Sequence, residues 1–306
     1  MSPLIPWLWI PITIWAAFAQ TLRNAAQRHL TKELGTLGAT LVRFLYGLPF
    51  ALLWLAFLVV GGGLALPLPN LAFALWVVEG AVTQIVATAL LLRVMEQRNF
   101  ALGVAYSKTE IIQVAVFGLA FLGDPITLVT ALAVLCGTVG VLLLSPADRE
   151  HPWRTLLAGW TARPALIGLG SGAAFALSAT GFRGAALSLG SESFLTAAGY
   201  TLAWAQAVQT VLLGGWLLAR APDVIVRAFR AWRASLVAGF MGAAASAGWF
   251  TAMAIEPVAH VRTLGLVELL FSYAVSRRVF RERLHRLEIL GIAVLTLALV
   301  IVALGR

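Results

Sequence analysis

Residues 110–124 read EIIQVAVFGLAFLGD, and residues 268–282 read ELLFSYAVSRRVFRE. Each stretch opens on a glutamate, runs through mainly apolar residues and closes on an acid. Asp124 follows Glu110 by 14 positions, Glu282 follows Glu268 by 14, and the second pair lies 158 positions beyond the first. In a chain of 306 residues that offset is close to half the length. A membrane chain that repeats itself, with a carboxyl group inside one apolar run of each half, points to a carrier built from two matched halves.

The composition supports a lipid environment. Hydrophobic residues make up 60% of the chain and charged residues 11%, against roughly 25% charged in soluble domains. Ten apolar runs are long enough to cross a ~30 Å hydrocarbon core as helices. They cover 5–24, 36–60, 70–92, 100–122, 126–145, 164–187, 193–219, 235–254, 258–276 and 286–304. Continuous runs favour helices over a barrel, whose strands alternate with period 2. The expected fold is therefore an all-α integral membrane protein of ten transmembrane helices. The first run lacks a basic leader and is long enough to span, so it reads as a helix and not a cleaved signal. Cys136 is the one cysteine and sits within the fifth run, so no disulfide framework is expected.

The net charge of +9 is explained by topology and calls for no nucleic-acid partner. Arg28 and Lys32 lie in the first loop, Arg93 and Arg98 in the third, Arg149, Arg154 and Arg163 in the fifth. Arg220, Arg227, Arg230 and Arg233 lie in the seventh, and Arg277, Arg278, Arg281, Arg283 and Arg286 in the ninth. The even loops carry no Lys or Arg; the fourth has Asp124, the sixth Glu192 and the eighth Glu256. Basic loops stay cytoplasmic, so both termini are expected outside the cytoplasm. An odd number of helices per half makes the second half enter the membrane inverted. The repeats are expected at 1–145 and 164–306, joined by a linker over 146–163. The offset also maps Thr13 onto Ser171, Gln20 onto Ser178 and Met95 onto Met253.

These features resemble the drug/metabolite transporter superfamily, and within it the EamA-type ten-helix carriers. Arg43-Phe44-Leu45 resembles the family's start of the second helix. Glu110 with Phe121-Leu122-Gly123-Asp124 resembles its fourth-helix pattern, and Glu268 with Glu282 repeats it. Gly137, Gly140 and Gly291 resemble the glycines of the helix closing each half. The second half departs from the pattern, with Phe280-Arg281 in place of Leu-Gly and Thr201 where Arg43 maps. The resemblance implies an exporter of amino acids and related metabolites, with relatives that carry sugars, nucleotide sugars or cationic drugs.

A charged carboxylate at mid-membrane costs at least ~2.5–3.5 kcal/mol on insertion scales, so it must be paired, protonated or wet. Glu110 lies mid-run, and Tyr106 and Gln113 share its helix face at i−4 and i+3. Glu268 lies mid-run with Ser272 on the same face. Each glutamate either lines a central cavity or bonds a neighbouring helix. Glu79 and Gln84 lie on the third helix, separated by about 140° at ~100° per residue. Lys108 is about 200° from Glu110 on a continuous helix, which excludes it as an intrahelical partner. It is expected to pair with Glu79, reach a substrate carboxylate or snorkel. Arg262 has the same three readings, and Arg43 reads as a helix-end or pairing residue. Thr13, Gln20, Asn24 and Gln27 form a polar stripe on the first helix, either a cavity lining or an interhelical seam. Trp249 caps the pocket or belongs to the interfacial aromatic belt. Small-xxx-small series at Gly168 and Gly172, and at Ala238, Gly242 and Ser246, suit close helix packing.

Enzyme chemistry is not expected. His29, His151, His260 and His285 are scattered, and no zinc, phosphate-loop or nucleophile-elbow motif occurs. No cofactor or metal is called for. The reading is a secondary carrier of small polar metabolites, amino acids first, exporting across the inner membrane by alternating access, with protons as a candidate coupling ion. Its partners are the solute and the bilayer, with a monomer as the working unit. The rival is a non-transporting membrane protein.

Overall fold

A computed structural model describes residues 7–97, 104, 107, 108, 110–144, 163–280, 290, 293, 294, 297, 298 and 301. All elements are helices, with no strand among the described residues. They are α1 (Trp9–Leu45), α2 (Leu48–Ala56), α3 (Leu71–Gln97), α4 (Glu110–Phe117), α5 (Leu128–Leu144), α6 (Arg163–Ser188), α7 (Phe194–Arg220), α8 (Pro222–Arg230), α9 (Trp232–Ile255), α10 (Val258–Leu264) and α11 (Val267–Phe280). Wider π-type turns continue α2 over Phe57–Gly61 and α4 over Gly118–Leu122. Among the described residues five segments are long and apolar enough to cross a membrane: Trp9–Gly61, Leu71–Glu96, Phe194–Arg220, Trp232–Ile255 and Val258–Val275. That is compatible with a membrane protein. The linker 146–163 lies outside the described residues, except Arg163 at the start of α6.

Three sequence expectations need correction. The first loop is reduced to a break at its end: the helix runs through Arg28 and Lys32, departs from helical geometry at Gly35 (φ 70°, ψ 174°), and a second helical stretch continues α1 beyond it. Ala25, Ala26, Gln27, Arg28, Leu30, Lys32 and Glu33 are good helix formers, so the helix outruns its apolar stretch. Gln27 Nε2 then donates to the Ala39 carbonyl at 2.8 Å and bridges the bend. The seventh loop folds into α8, with Pro222 at its start, Asp223 in the first turn and Arg227 and Arg230 in the last. Those positions suit the helix dipole at both ends. Val224 and Ala228 are its buried face, packed on the protein's own helices. Finally, the ninth run is two helices, separated by a turn at Gly265 and Leu266.

Two helix pairs dominate the packing, α1 with α9 and α3 with α6. Small residues make both possible. Gly248 of α9 meets Ala16 of α1, and Gly80 of α3 meets Phe182 of α6. Gly239 lies against the turn between α1 and α2. A Cβ there would stand 2.6 Å from the Tyr46 carbonyl carbon and 2.8 Å from Gly47 N. Backbone cannot yield as a side chain can, so Gly239→Ala is expected to destabilise the protein by about 1–3 kcal/mol. Gly215 has nothing within 4 Å of the same added atom, so Gly215→Ala serves as the control. Melting of the two purified variants checks this, and equal melting temperatures would contradict the packing described.

Candidate functional site

The breaks in the helices decide where the charges meet. Lys108 occupies a turn, and α4 begins at Glu110. Leu266 occupies the turn before α11, whose first turn holds Glu268. Both carboxylates therefore sit at a helix N-terminus, where the exposed N–H groups favour negative charge.

Glu268 is fully buried and has three donors. Lys108 Nζ lies 2.5 Å from its Oε2. Gln20 Nε2 donates to Oε2 at 2.6 Å, and Asn24 Nδ2 donates to Oε1 at 2.9 Å. The polar stripe of α1 is thus aimed at the second half's carboxylate. Trp249 Nε1 donates to Gln20 Oε1 at 2.9 Å and holds that amide in place. Trp249 is only 3% exposed, so it does not belong to an aromatic belt. The Arg262 guanidinium lies 4.8 Å from its ring centroid, a cation–π contact strengthened by burial.

Glu110 is held more loosely. Its Oε1 is 3.6 Å from Lys108 Nζ and 3.6 Å from Arg262 Nη1, beyond hydrogen-bond length. The Lys108 contact corrects the helical-wheel argument. The 200° separation presumed an unbroken helix, and the turn at Lys108 removes that premise. Arg262 is 6% exposed and faces Glu110; it does not snorkel.

Two further arginines join the cluster. Arg23 Nε and Nη2 donate to Asn24 Oδ1 at 3.3 and 2.7 Å. Arg43 Nη1 donates to Thr88 Oγ1 at 2.9 Å, and Nη2 to Ser246 Oγ at 3.5 Å. Both arginines lie against Gly242 of α9. Arg23 reaches Glu268 through Asn24, which touches both, and Arg43 lies beside Arg23 at Gly242. Among the described residues the buried bases are Arg23, Arg43, Lys108 and Arg262, and the buried acids are Glu110 and Glu268. The cluster holds four cations against two anions. An unpaired buried ion carries a desolvation penalty of several kcal/mol. Arginine does not escape it by losing a proton, so a neutral Lys108 would still leave three cations against two anions.

The other expected site residues lie apart. The Glu79–Lys108 pair does not form. The Glu79 carboxylate is half-buried against Gly181 of α6, and neither oxygen has a hydrogen-bond partner among the described residues. Lys108 is drawn instead to two carboxylates that are closer. Gln84 accepts from Gln209 Nε2 at 2.8 Å and joins α3 to α7. Gln113 is half-buried, with its Oε1 unpartnered among the described residues. Tyr106 lies outside the described residues. Ser171 donates to the Ala87 carbonyl at 2.8 Å, so it belongs to the seam between α3 and α6. A mainly apolar groove of about 690 Å³ runs past Trp15, Phe50, Trp54, Phe57, Leu202 and Phe240, with Thr251 and no charged residue in its lining.

Sequence reasoning missed Arg23 and Arg183. Arg23 stands one residue before Asn24 in the polar stripe, a signal that was present. Arg183 of α6 donates to the carbonyls of Met253 and, at 2.8 Å, Glu256, and its Nη2 donates to Asp124 Oδ1 at 3.0 Å. It gathers the ends of α4, α6 and α9 at one place. Among the described residues no group of His, Cys, Asp and Glu is arranged to hold a metal ion.

No family model matches the chain. No curated protein matches it either. A chain of known structure, described only as "Crystal structure of protein", superposes with a TM-score of 0.66 at 14% identity, over 96% of this chain and 94% of its own. At that identity the likeness shows a shared fold and nothing about activity.

Proposed function

We propose that the chain is a secondary carrier of the EamA type in the drug/metabolite transporter superfamily. It has ten spans in two inverted five-helix halves and exports small polar metabolites across the inner membrane by alternating access. The observation that carries this reading is the buried charge cluster at two helix breaks 158 positions apart, Lys108–Glu110 and Leu266–Glu268. Broken helices that present termini to a polar centre are the way carriers place solute sites inside a bilayer. Purely structural membrane helices seldom keep so many charges.

The packing supports the inverted repeat. Under the 158-residue offset the first span corresponds to the sixth and the third to the eighth. The α1–α9 and α3–α6 contacts, which dominate the fold, are then one contact seen twice. Arg183 supports a cycle between two states. It ties together segments that the charge map assigns to the outer side, near Asp124 and Glu256. On this reading those bonds hold the outer ends of the helices together.

Glu268 has the character of a lock, because three donors among the described residues hold it at short range. Glu110 has the character of a responsive group, because its contacts are longer. Flux of a metabolite panel in proteoliposomes tests the reading, and absence of flux for every solute would overturn it. Glu110→Gln is expected to slow transport by about tenfold or more, the effect of ~1.4 kcal/mol, and to lower the melting temperature less than Glu268→Gln does, because the ion pairs of Glu110 are longer. Full transport by that variant would remove Glu110 from the pathway. Orientation has its own check. With Cys136→Ser as background, Ser2→Cys and Arg306→Cys should react with an impermeant thiol reagent in intact cells. Reaction only after permeabilising the inner membrane would contradict the orientation.

A further inference from the structure

We propose that the cluster formed by Arg23, Arg43, Lys108 and Arg262 binds the oxyanion group of its solute, a carboxylate or phosphate, and that the transported solute carries net negative charge. This rests on the carrier reading above. The first argument is charge. The two buried carboxylates leave two of the four cations without a counter-charge among the described residues. A cationic solute would add to that excess, and a neutral one would leave it.

The second argument is the state of the donors. Arg23 Nη1, Arg43 Nε and Arg262 Nε are buried and have no hydrogen-bond partner among the described residues. The bonds that Arg23 and Arg43 do make go to neutral groups: Asn24 Oδ1, Thr88 Oγ1 and Ser246 Oγ. A guanidinium is shaped to grip a carboxylate or phosphate with two parallel bonds. In Arg23 that fork spans a single amide oxygen, and an anion would displace it readily.

The third argument concerns Glu110. Lys108 and Arg262 stand on either side of its Oε1 at 3.6 Å. Neither is committed to it by a hydrogen bond; Arg262 is available to an incoming anion, and Lys108 has further N–H donors beyond the one engaged with Glu268. Glu268, in contrast, holds the floor of the site through Gln20, Asn24 and Lys108. The inference is about charge and donor geometry; the rest of the solute is left to the surrounding helices.

Melting of the purified full-length protein tests it, with succinate and inorganic phosphate as probes at ionic strength matched by sodium chloride. At least one of the two should raise the melting temperature by several degrees and saturate, while choline chloride should not. Arg23→Gln and Arg262→Gln should each require about tenfold more anion for the same shift, as loss of a charged hydrogen bond implies. No shift with either anion overturns the proposal, as does an equal shift in both variants, which would place the anions elsewhere on this basic chain. If a variant does not fold, the wild-type contrast between anions and choline decides. The same probes in flux assays separate this claim from the one beneath it. Anion binding without flux of any solute upholds the site and removes the carrier. Flux confined to cations, with no anion response, keeps the carrier and removes the anion site.

Discussion

The contact between Lys108 and Glu268 is the constraint around which the centre of the molecule is arranged. A charge placed among apolar helices must be met by another charge, because no solvent is there to share it. Lys108 belongs to the first half of the chain and Glu268 to the second, and α1 supplies two amide groups to the same carboxylate. Removing one partner of a buried pair costs about 3–5 kcal/mol, so the charges constrain how the helices around them can pack. Gly242 lets Arg23 and Arg43 lie against α9, and the turns at Lys108 and Leu266 bring Lys108, Glu110 and Glu268 together.

Much of this arrangement was legible in the sequence. Glu110 and Glu268 stood out because a carboxylate inside an apolar run demands a reason. The stripe of Gln20 and Asn24 pointed inward because lipid offers it no partner. What failed did so for definite reasons. The helical wheel separated Lys108 from Glu110 because it assumed continuity through residues that form a turn. Apolar length ended the first helix early because Gln27, Arg28, Lys32 and Glu33 are polar yet favour helix. Trp249 looked like a belt residue from its place in the run, but its indole N–H has a partner inside, at Gln20. Glu79 looked like the base's partner because spacing gives no distance between helices.

On the proposed carrier reading, the imbalance of charge is what turns a structural cluster into a solute site. A fully neutralised network would be satisfied at rest and would resist opening. This one keeps guanidinium donors unmatched among the described residues and one carboxylate, that of Glu110, at longer range. A solute that supplies the missing charge completes the network. Alternating access requires that completed network to be reached from one side of the membrane and released on the other.

Access to α1 at Asn24 tests that requirement most directly. Asn24 is 1% exposed and touches both Arg23 and Glu268. In a Cys136→Ser background, Asn24→Cys should react slowly with a small impermeant thiol reagent applied to right-side-out vesicles and also to inside-out vesicles. Transported solute should protect it from both sides. Failure to react from either side, or reaction from one side alone under all conditions, would mean that the cluster is a sealed structural core, and the account of a moving solute site would be wrong.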